Sequence, residues 1–451
     1  MKGPGFNYAL RMSIFQGVFT NVHITLTAGM FLVGYALYLG ATPFHIGVLA
    51  GIPAFLTGLG FVAAYLINRV TYRKAITMIT SGIARLLFII PVIFLALGSK
   101  MPLLSFLIMI GFFNALLVIA DNAWLSWMSD LVPQDIRGRF FGIRNTAMSL
   151  VGMVVAISGA RLLDYFKAQN KPEIGFIIIF SAATIFAFVG IIFLSKQPEI
   201  QSVRKKVDFK TIFLAPLKNQ NFRNFLKFMA FWNLTSGIAS PFYIVFMLNH
   251  LKMPYSRVAI YSIIAGVMIL IFGPLWGRAI DRFRSKPVLF LNFLGIGFLP
   301  FLWLFPKENF LFPVWLDAFL TGVFWPAVNL GVFNIVLSLS ENEELKESYF
   351  AIYSTITGMA GFISSLIGGY LANLTKHLSL TVFGLHLVNY QFFFVFAGLT
   401  RFLSLIFLRR VSEAYESSPT YMLGIMTDYA LRRLNYGKDF ILSTLRTFRR
   451  R

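Results

Sequence analysis

Long apolar stretches, separated by short polar or basic gaps, run along almost the whole chain. A helix needs about 20 apolar residues to cross the roughly 30 Å hydrocarbon core of a bilayer, and twelve stretches are long enough. We place them at Ile14 to Tyr38, Phe44 to Ile67, Ala75 to Leu97, Pro102 to Met128, Phe140 to Asp164, Ile174 to Leu194, Phe225 to Asn249, Ser256 to Ile280, Val288 to Phe305, Leu311 to Leu337, Tyr349 to Asn373 and Asn389 to Leu408. Short gaps make successive helices antiparallel neighbours. The pattern predicts an all-α integral membrane protein with twelve transmembrane helices.

The composition is typical of a membrane protein. Of the 451 residues, 57% are hydrophobic and 13% are charged, whereas about 25% are charged in an average soluble domain. The chain has no Cys, which excludes disulfides, thiol nucleophiles and Cys-ligated metal. The first apolar stretch is too long for the core of a cleavable signal peptide and lacks a small-residue cleavage site after it. We therefore expect it to remain as the first helix.

Membrane orientation explains the net charge of +22 better than nucleic-acid binding does. If the N-terminus is cytoplasmic, 30 Lys and Arg residues lie on the cytoplasmic side and seven on the other. A bias of this kind orients membrane proteins. We expect both termini in the cytoplasm and the chain in the plasma (cytoplasmic) membrane, which is the inner membrane of a cell that has two. Its surroundings are then membrane lipids, and nucleic acid is not a partner.

The chain divides into two sets of six helices. Residues 1–194 are predicted to form an N-terminal six-helix bundle, 195–224 a basic cytoplasmic linker and 225–410 a C-terminal six-helix bundle. Residues 411–451 carry apolar positions among Lys and Arg residues, which predicts a basic amphipathic tail. Such a tail either lies on the anionic lipid surface or serves regulation or partner binding.

Two correspondences between the halves indicate an internal repeat. The segment from Ala64 to Lys74 follows the second helix, and a similar segment from Gly277 to Pro287 follows the eighth, 213 residues later. A second set is 209 residues apart and pairs Phe141 with Phe350, Ile143 with Ile352, Thr146 with Thr355, Gly152 with Gly361 and Gly159 with Gly368. Parallel repeats about an axis along the membrane normal are expected.

These segments resemble the major facilitator superfamily of secondary transporters. That family carries a G-x-x-x-D-R-x-G-R-K motif between helices two and three, often repeated between eight and nine. The second copy here is close and consists of Gly277, Asp281, Arg282 and Lys286; the first departs from the motif and has Ala64, Asn68, Arg69 and Arg73. A P-x-x-x-R-G run of the family has its counterpart in Pro133, Arg137 and Gly138, preceded by Asp130. The resemblance covers residues 10 to 410 and implies two six-helix bundles.

The resemblance also implies a cytoplasmic gate made by these motif residues. Asp and Arg side chains at helix ends can pair with a neighbouring helix and with its terminal dipole. Such pairs would close the gate in one state and release it in the other. Asn68 is neutral and cannot form the ion pair that Asp281 can. Charges that only set the topology remain the alternative for Arg69, Arg73, Arg282 and Lys286.

A polar stripe on the first helix is a candidate for solute or proton contact. Gln16, Thr20, His23 and Thr27 recur at helical spacing and share one face. In the family that the chain resembles, helices one, four, seven and ten line a central cavity. His23 is then a group that can titrate near neutral pH. The alternative is a neutral His bonded to a neighbouring helix.

Asp121 on the fourth helix is the strongest single candidate for a functional residue. An ionisable group inside the membrane costs about 2.5 to 3.5 kcal/mol on insertion scales, so it needs a partner or a cavity. Asn114 shares its face, and Arg85 lies at a comparable depth on the third helix. A pair between Asp121 and Arg85 either braces the bundle or couples proton flow to the gate.

Helices seven and ten carry aromatic and polar residues suited to an organic solute. The candidates are Trp232, Asn233, Ser236 and Ser240 on helix seven and Trp325 and Asn329 on helix ten. Aromatic faces beside amides favour a flat or ring-shaped molecule, although Trp is also common at the lipid interface. Arg161 with Asp164, and Arg401, are predicted to extend from the membrane interior toward its surfaces.

These observations favour a secondary transporter that moves a small organic solute by alternating access, with the proton as coupling ion. The sequence contains neither a phosphate-binding G-x-x-x-x-G-K-[ST] loop nor H-E-x-x-H or G-x-S-x-G. We therefore expect no enzyme activity, no cofactor and no metal, and a monomer. The alternatives on the same fold are a lipid flippase and a non-transporting receptor.

Overall fold

The computed structural model describes residues 4–67, 70–199, 216–341, 346–382, 385–413, 418, 420–422 and 424–425. The predicted gate residues Asn68 and Arg69, and most of the predicted linker, lie outside them. Twelve helices of the described residues traverse the bundle. They are α1 (Pro4–Thr27 and Gly29–Tyr38), α2 (Pro43–Gly58 and Gly60–Ile67), α3 (Arg73–Leu86 and Ile89–Ala96), α4 (Leu103–Leu131), α5 (Gln134–Ala168), α6 (Pro172–Ser195), α7 (Gln220–Ala239, Phe242–Val245 and Phe246–His250), α8 (Tyr255–Phe283), α9 (Ser285–Leu302), α10 (Phe312–Leu339), α11 (Lys346–Leu374) and α12 (Asn389–Leu408).

The twelve-helix fold predicted from the sequence is confirmed. Eleven helices in the described part of the chain are long and apolar enough to cross a membrane. The twelfth is α2, whose apolar segment Pro43–Gly58 continues beyond Leu59 as Gly60–Ile67. A short antiparallel hairpin, β1 (Ser379–Val382) with β2 (Leu385–Val388), precedes α12 and was not predicted. We call the side where α1 begins and α12 ends the terminal side, and the opposite side the far side.

Each half has the same internal arrangement of six helices. In the N-terminal half α1 packs on α5 and α6, and α3 packs on α4; in the C-terminal half α7 packs on α11 and α12, and α9 packs on α10. The first helix of each half is interrupted at a corresponding place. In α1 the interruption is at Gly29, which has a φ of 54°, and in α7 it is at Pro241. The 212 residues between them agree with the repeat predicted from the sequence.

The two halves meet mainly along α2 with α11 and α5 with α8. Glycines allow α2 and α11 to approach until their backbones touch. A Cβ at Gly358 would meet backbone atoms of Ala54 and Gly58 at less than 3 Å, and one at Gly47 would meet the backbone of Gly369. The Thr355 hydroxyl also crosses the interface and donates to the Gly58 carbonyl oxygen at 2.9 Å. Small residues thus bring the halves into direct contact.

The first described residues of the predicted tail pack on protein. Met422 is fully buried in a cluster with Trp276, Ile280 and Phe283 of α8, and Ile425 packs against the same cluster. Apolar side chains of the tail therefore cover the terminal end of α8. The expectation of a basic amphipathic tail concerns residues that lie mostly outside the described part of the chain.

Candidate functional site

A cavity of about 710 Å³ lies between the halves. One wall comes from α2 of the N-terminal half, through Ala50, Pro53, Ala54 and Thr57. The other walls come from α7, α10, α11 and α12 of the C-terminal half. Six sequence-predicted residues line it, namely Trp232, Asn233, Ser236, Ser240, Trp325 and Asn329. Pockets for small organic ligands occupy about 300–1,000 Å³, so the cavity is large enough for one such molecule.

Several cavity residues were not predicted from the sequence. Tyr353, Ser354 and Thr357 of α11 and Thr57 of α2 supply hydroxyl groups to the lining. Gly358 of α11 lies beside these hydroxyl residues and also lines the cavity. The hydroxyl residues share the same face, because spacings of three and four residues return to one side of a helix.

The polar stripe of α1 lies inside the N-terminal half and does not line this cavity. Gln16, Thr20, His23 and Thr27 are all buried. The His23 Nδ1 atom is 3.2 Å from the Ala183 carbonyl oxygen of α6. Gln16 donates to the Thr20 hydroxyl at 3.0 Å, and Thr27 donates to the His23 carbonyl oxygen at 2.7 Å. The stripe thus forms hydrogen bonds with α6 and within α1, while the second ring nitrogen of His23, Nε2, is buried without a partner among the described residues.

Arg144 of α5 completes this buried polar group. It was not singled out from the sequence, and it is 7% exposed. Its guanidinium donates to the Ser13 carbonyl oxygen at 3.2 Å and to Gln16 Oε1 at 3.0 Å. It also lies 4.5 Å from the centre of the Trp124 ring. Arg144 lies in the third turn of α5, which begins at Gln134, and from there it reaches the first helix.

Asp121 and Arg85 do not form the direct ion pair considered in the sequence analysis. Among the described residues, ion pairs within 4.0 Å are Arg73 with Asp130 and Lys252 with Glu308. Arg85 is buried beneath α4, and its Nη1 atom has no hydrogen-bond partner in the described part of the chain. Asp121 is exposed on α4. Asn114 donates to the Ile110 carbonyl oxygen of its own helix at 2.8 Å.

Arg401 of α12 is buried in the C-terminal half, so the prediction that it reaches a membrane surface is wrong. It is 5% exposed and lines the cavity. Nη1 donates to the Ile296 carbonyl oxygen of α9 at 3.3 Å. The guanidinium lies 5.5 Å from the centre of the Trp232 ring. Asp317 of α10 is also buried and accepts from the Tyr261 hydroxyl at 2.6 Å.

Asp164 holds the halves together on the far side. Asp164 and Arg161, which were predicted to extend together toward the membrane surface, do not form an ion pair. Instead the Asp164 carboxylate of α5 accepts from the backbone N–H groups of Tyr255 at 2.7 Å and Ser256 at 2.8 Å, at the start of α8. A carboxylate at a helix N-terminus satisfies free N–H groups and the helix dipole together. Tyr255 also lies against Gly34 of α1.

The described residues of the predicted gate lie at or near helix ends on the terminal side of each half. Arg73 at the start of α3 pairs with Asp130 at the end of α4, with a 3.1 Å Nη1 to Oδ2 distance. Arg137 donates to the carbonyl oxygens of Ser129 at 2.8 Å and Val132 at 3.1 Å, where α4 ends. The remaining gate positions are Gly138, Asp281 and Arg282, which are exposed, Gly277, which is half-buried, and Lys286 at the start of α9.

Two glutamates missed by the sequence analysis cap the gate helices. Glu199, beyond α6, accepts from the backbone N–H of Lys74 at the start of α3 at 3.0 Å. Glu413, beyond α12, accepts hydrogen bonds from two backbone N–H groups at the start of α9. They belong to Ser285, at 3.2 Å, and Lys286, at 2.7 Å. The 214 residues between the two glutamates match the repeat. That offset was the signal that could have found them.

Glu413→Gln is expected to lower the stability of the C-terminal half. An amide oxygen can still accept a hydrogen bond, but the charge that complements the α9 dipole is lost. The loss should lie at the charge–dipole scale of about 0.3–1 kcal/mol. The midpoint of thermal unfolding of the purified protein measures it. Glu308→Gln is the control, because Glu308 is 52% exposed in a surface pair with Lys252; an equal shift in both variants contradicts the prediction.

Comparison with known proteins supports the resemblance seen in the motifs. Residues 224–422 match the family model of the Major Facilitator Superfamily. No curated protein matches the chain by sequence.

Three solved structures illustrate the shared fold. A variant of the nucleoside transporter NupG is 13% identical with a TM-score of 0.67, and the match covers 89% of this chain and all of that one. A D-xylose–proton symporter is 14% identical with a TM-score of 0.62, covering 92% and 98%. A bacterial homolog of the human lysosomal transporter Spinster, in an inward-facing and occupied conformation, is 14% identical with a TM-score of 0.58, covering 84% of each chain. The chain is thus similar to the major facilitator superfamily over residues 224–422, and it shares the fold of these transporters over nearly its whole length.

Proposed function

We propose that this protein carries a small organic solute across the plasma membrane by alternating access. The observation that carries the proposal is the cavity between the halves, whose walls present two Trp rings, two Asn amides and several hydroxyl groups. A solute in such a place contacts both α2 and the C-terminal half. Rocking of one half against the other would then expose it to each side in turn.

The conformation fits an inward-facing state if the terminal side is the cytoplasm. The basic residues concentrate on that side, which favours the cytoplasm for both termini. The far side is held by Asp164 on the start of α8 and by Tyr255 against Gly34. The cavity residues of α7, from Met229 to Ser240, lie around the middle of that helix, and those of α10, from Trp325 to Val336, lie in its half nearer the terminal side.

Uptake into proteoliposomes tests the transport function. Solutes are first screened for thermal stabilisation of the purified full chain, and the best are then tested as radiolabelled substrates. Trp325→Ala is expected to weaken binding and uptake because it removes a ring from the cavity wall. Trp315→Ala on the same helix is the control, since Trp315 does not line the cavity. If no solute enters the vesicles and the protein instead moves fluorescent lipids between leaflets, the flippase alternative replaces this proposal.

Proton coupling through Asp121 is the second part of the proposal. On α4, Asp121 lies about 60° around the helix from both Val118 and Trp124. Val118 faces Gly60 of α2, and Trp124 contacts Arg144 of α5. Because α2 packs on α11 and α5 packs on α8, the α4 face between them is directed toward the other half. An exposed carboxylate there can bind and release a proton as the halves move.

Asp121→Asn is expected to abolish accumulation driven by a pH gradient while solute binding is retained. An amide keeps the shape of the side chain but cannot exchange a proton. Uptake with and without an imposed pH gradient, together with the thermal stabilisation by solute, separates the two effects. Asp135→Asn, at an exposed position of α5, is the control. Gradient-driven accumulation that persists in Asp121→Asn would remove this carboxylate from the coupling step.

A further inference from the structure

Among the described residues that line the cavity, Arg401 is the only charged one. It comes from α12 and is 95% buried, since 5% of its surface is exposed. One nitrogen, Nη1, donates to the Ile296 carbonyl oxygen at 3.3 Å. Its Nε is buried and has no hydrogen-bond partner among the described residues. Arg401 also forms a side-chain hydrogen bond with Tyr243 of α7, so Nε is the guanidinium donor that the described part of the fold leaves unused.

No carboxylate of the described residues lies within ion-pair distance of Arg401. The acidic residue that acts on it through space is Asp317, but the Asp317 carboxylate accepts the Tyr261 hydroxyl at 2.6 Å. A buried charge costs several kcal/mol unless it is paired and hydrogen-bonded. Arg401 thus keeps a positive charge at the cavity without a contacting anion.

The surroundings of Arg401 indicate what else a ligand would contact. The Trp232 ring lies 5.5 Å below the guanidinium, so the cation is fixed against an aromatic face. Ser236, one turn further along α7, has a buried hydroxyl without a partner in the described part of the chain. Trp325 and Asn329 line the cavity from α10. Unused donors at one place and aromatic rings around it suit a ring that carries one anionic group.

We propose that the solute is an organic carboxylate in which an aromatic or heteroaromatic ring is joined to one acidic group. This inference rests on the transport function proposed above and names its substrate class. Arg401 binds the carboxylate through its unused Nε–H donor, which forms a charge-assisted hydrogen bond with an anionic oxygen. The Ser236 hydroxyl donates to the same group or to a substituent near it. The ring lies against Trp325, and a second acidic group would find no second cation in the lining.

Matched acids and amides test this assignment with the wild-type chain. The probes are nicotinate with nicotinamide, benzoate with benzamide, and indole-3-acetate with indole-3-acetamide. Binding to the purified full chain is measured by thermal stabilisation and by quenching of tryptophan fluorescence. A charge-assisted hydrogen bond is worth about 1.5–3 kcal/mol, so at least one acid should bind about tenfold more tightly than its amide. Amides that bind as well as their acids, or a panel in which no acid binds, would overturn the proposal.

Variants then assign the preference to Arg401. Arg401→Gln should bind the acid and the amide equally, and Arg401→Lys should keep part of the preference because it keeps the charge. Arg161→Gln, exposed on α5 and absent from the cavity lining, should bind as the wild type does. An acid preference that persists in Arg401→Gln would overturn the assignment. If Arg401→Gln does not fold, the double variant Arg401→Lys with Ser236→Ala tests the same contact. It should lose the preference for the acid that Arg401→Lys alone retains. A preference that is unchanged in the double variant counts against the proposal.

The outcomes also separate this inference from the transport function. An acid that binds through Arg401 but never enters proteoliposomes would leave the binding site in place and refute transport. A neutral solute that is accumulated equally by the wild type and Arg401→Gln would support transport and refute the carboxylate substrate.

Discussion

A disulfide between Asp164→Cys and Ser256→Cys is expected to stop transport completely and reversibly. Asp164 belongs to α5 and Ser256 to α8, and the carboxylate of one touches the backbone of the other, with a 2.8 Å Oδ2 to N distance. A disulfide joins residues whose Cα atoms are about 4.4–6.8 Å apart, which such a contact permits. The link would hold the halves closed on the far side, so that the solute could not leave there.

Because the natural chain has no cysteine, this experiment needs no prior removal of native thiols. The chain contains no Cys, so every disulfide formed is the one introduced. Uptake into proteoliposomes is measured after oxidation and again after reduction. We expect the oxidised double variant to fall to the level of liposomes without protein and to recover with reductant. Each single variant should transport under both conditions.

A second disulfide within one half serves as the matched control. Asn221 at the start of α7 and Ser412 beyond α12 exchange two hydrogen bonds, of 2.6 Å and 2.8 Å, between side chain and backbone. Joining Asn221→Cys to Ser412→Cys therefore ties together two parts of the C-terminal half only. Transport should continue in that variant. Full transport by the oxidised pair across α5 and α8 would contradict closure of the far side by these helices.

The twelve spans were predictable because the membrane requires them. Each apolar stretch must be helical and about 20 residues long to bury its backbone polar groups in hydrocarbon. Helix ends were less accurate, since the polar starts of helices lie outside the hydrocarbon. α5 begins at Gln134 rather than Phe140, and α9 at Ser285 rather than Val288. The apolar pattern does not record these polar first turns.

The direction of a polar helix face was not predictable in the same way. Periodicity placed Gln16, Thr20, His23 and Thr27 on one side of α1 correctly, but it does not say which neighbour that side meets. Their neighbours inside the same half are α6, which contacts His23, and Arg144 of α5, which donates to Gln16. On α7 and α10 the same kind of argument led to residues that do line the cavity. The difference depends on tertiary packing, which a single sequence does not specify.

The main error of the sequence analysis was the predicted position of buried arginine side chains, and this error has a general physical cause. A long cation near the middle of a helix was expected to extend to a membrane surface, because that lowers its cost. Arg401 instead lies between α9 and α7, where the Ile296 carbonyl oxygen and the Trp232 ring receive it. Asp164 was misjudged in the same way, since its partners are backbone N–H groups of another half. Partners of this kind leave no side-chain signal in the sequence.

Gly358 of α11 lies where the backbones of the two halves touch, and we expect a large effect from the substitution Gly358→Leu. A Cβ at this position would meet the Ala54 carbonyl oxygen and the backbone of Gly58 at less than 3 Å. Backbone atoms of a packed helix cannot rotate away as a side-chain end can, so α2 and α11 must separate. Overpacking of this kind typically costs about 1–3 kcal/mol, and the side chain of Leu also displaces the Thr355 hydrogen bond to the Gly58 carbonyl oxygen. We expect a lower midpoint of thermal unfolding together with loss of transport.

Gly273→Leu on α8 is the control, because a Cβ there meets nothing within 4 Å. Both glycines lie within membrane-spanning helices, so helix propensity favours leucine equally at both. The control should unfold at or above the wild-type temperature and retain transport. In the proposed transport cycle α2 and α11 keep their backbone contact while the halves move, and Gly358 permits that contact. If Gly358→Leu unfolds and transports like Gly273→Leu, the halves are not held at this crossing, and the pairing of α2 with α11 is not the axis on which they move.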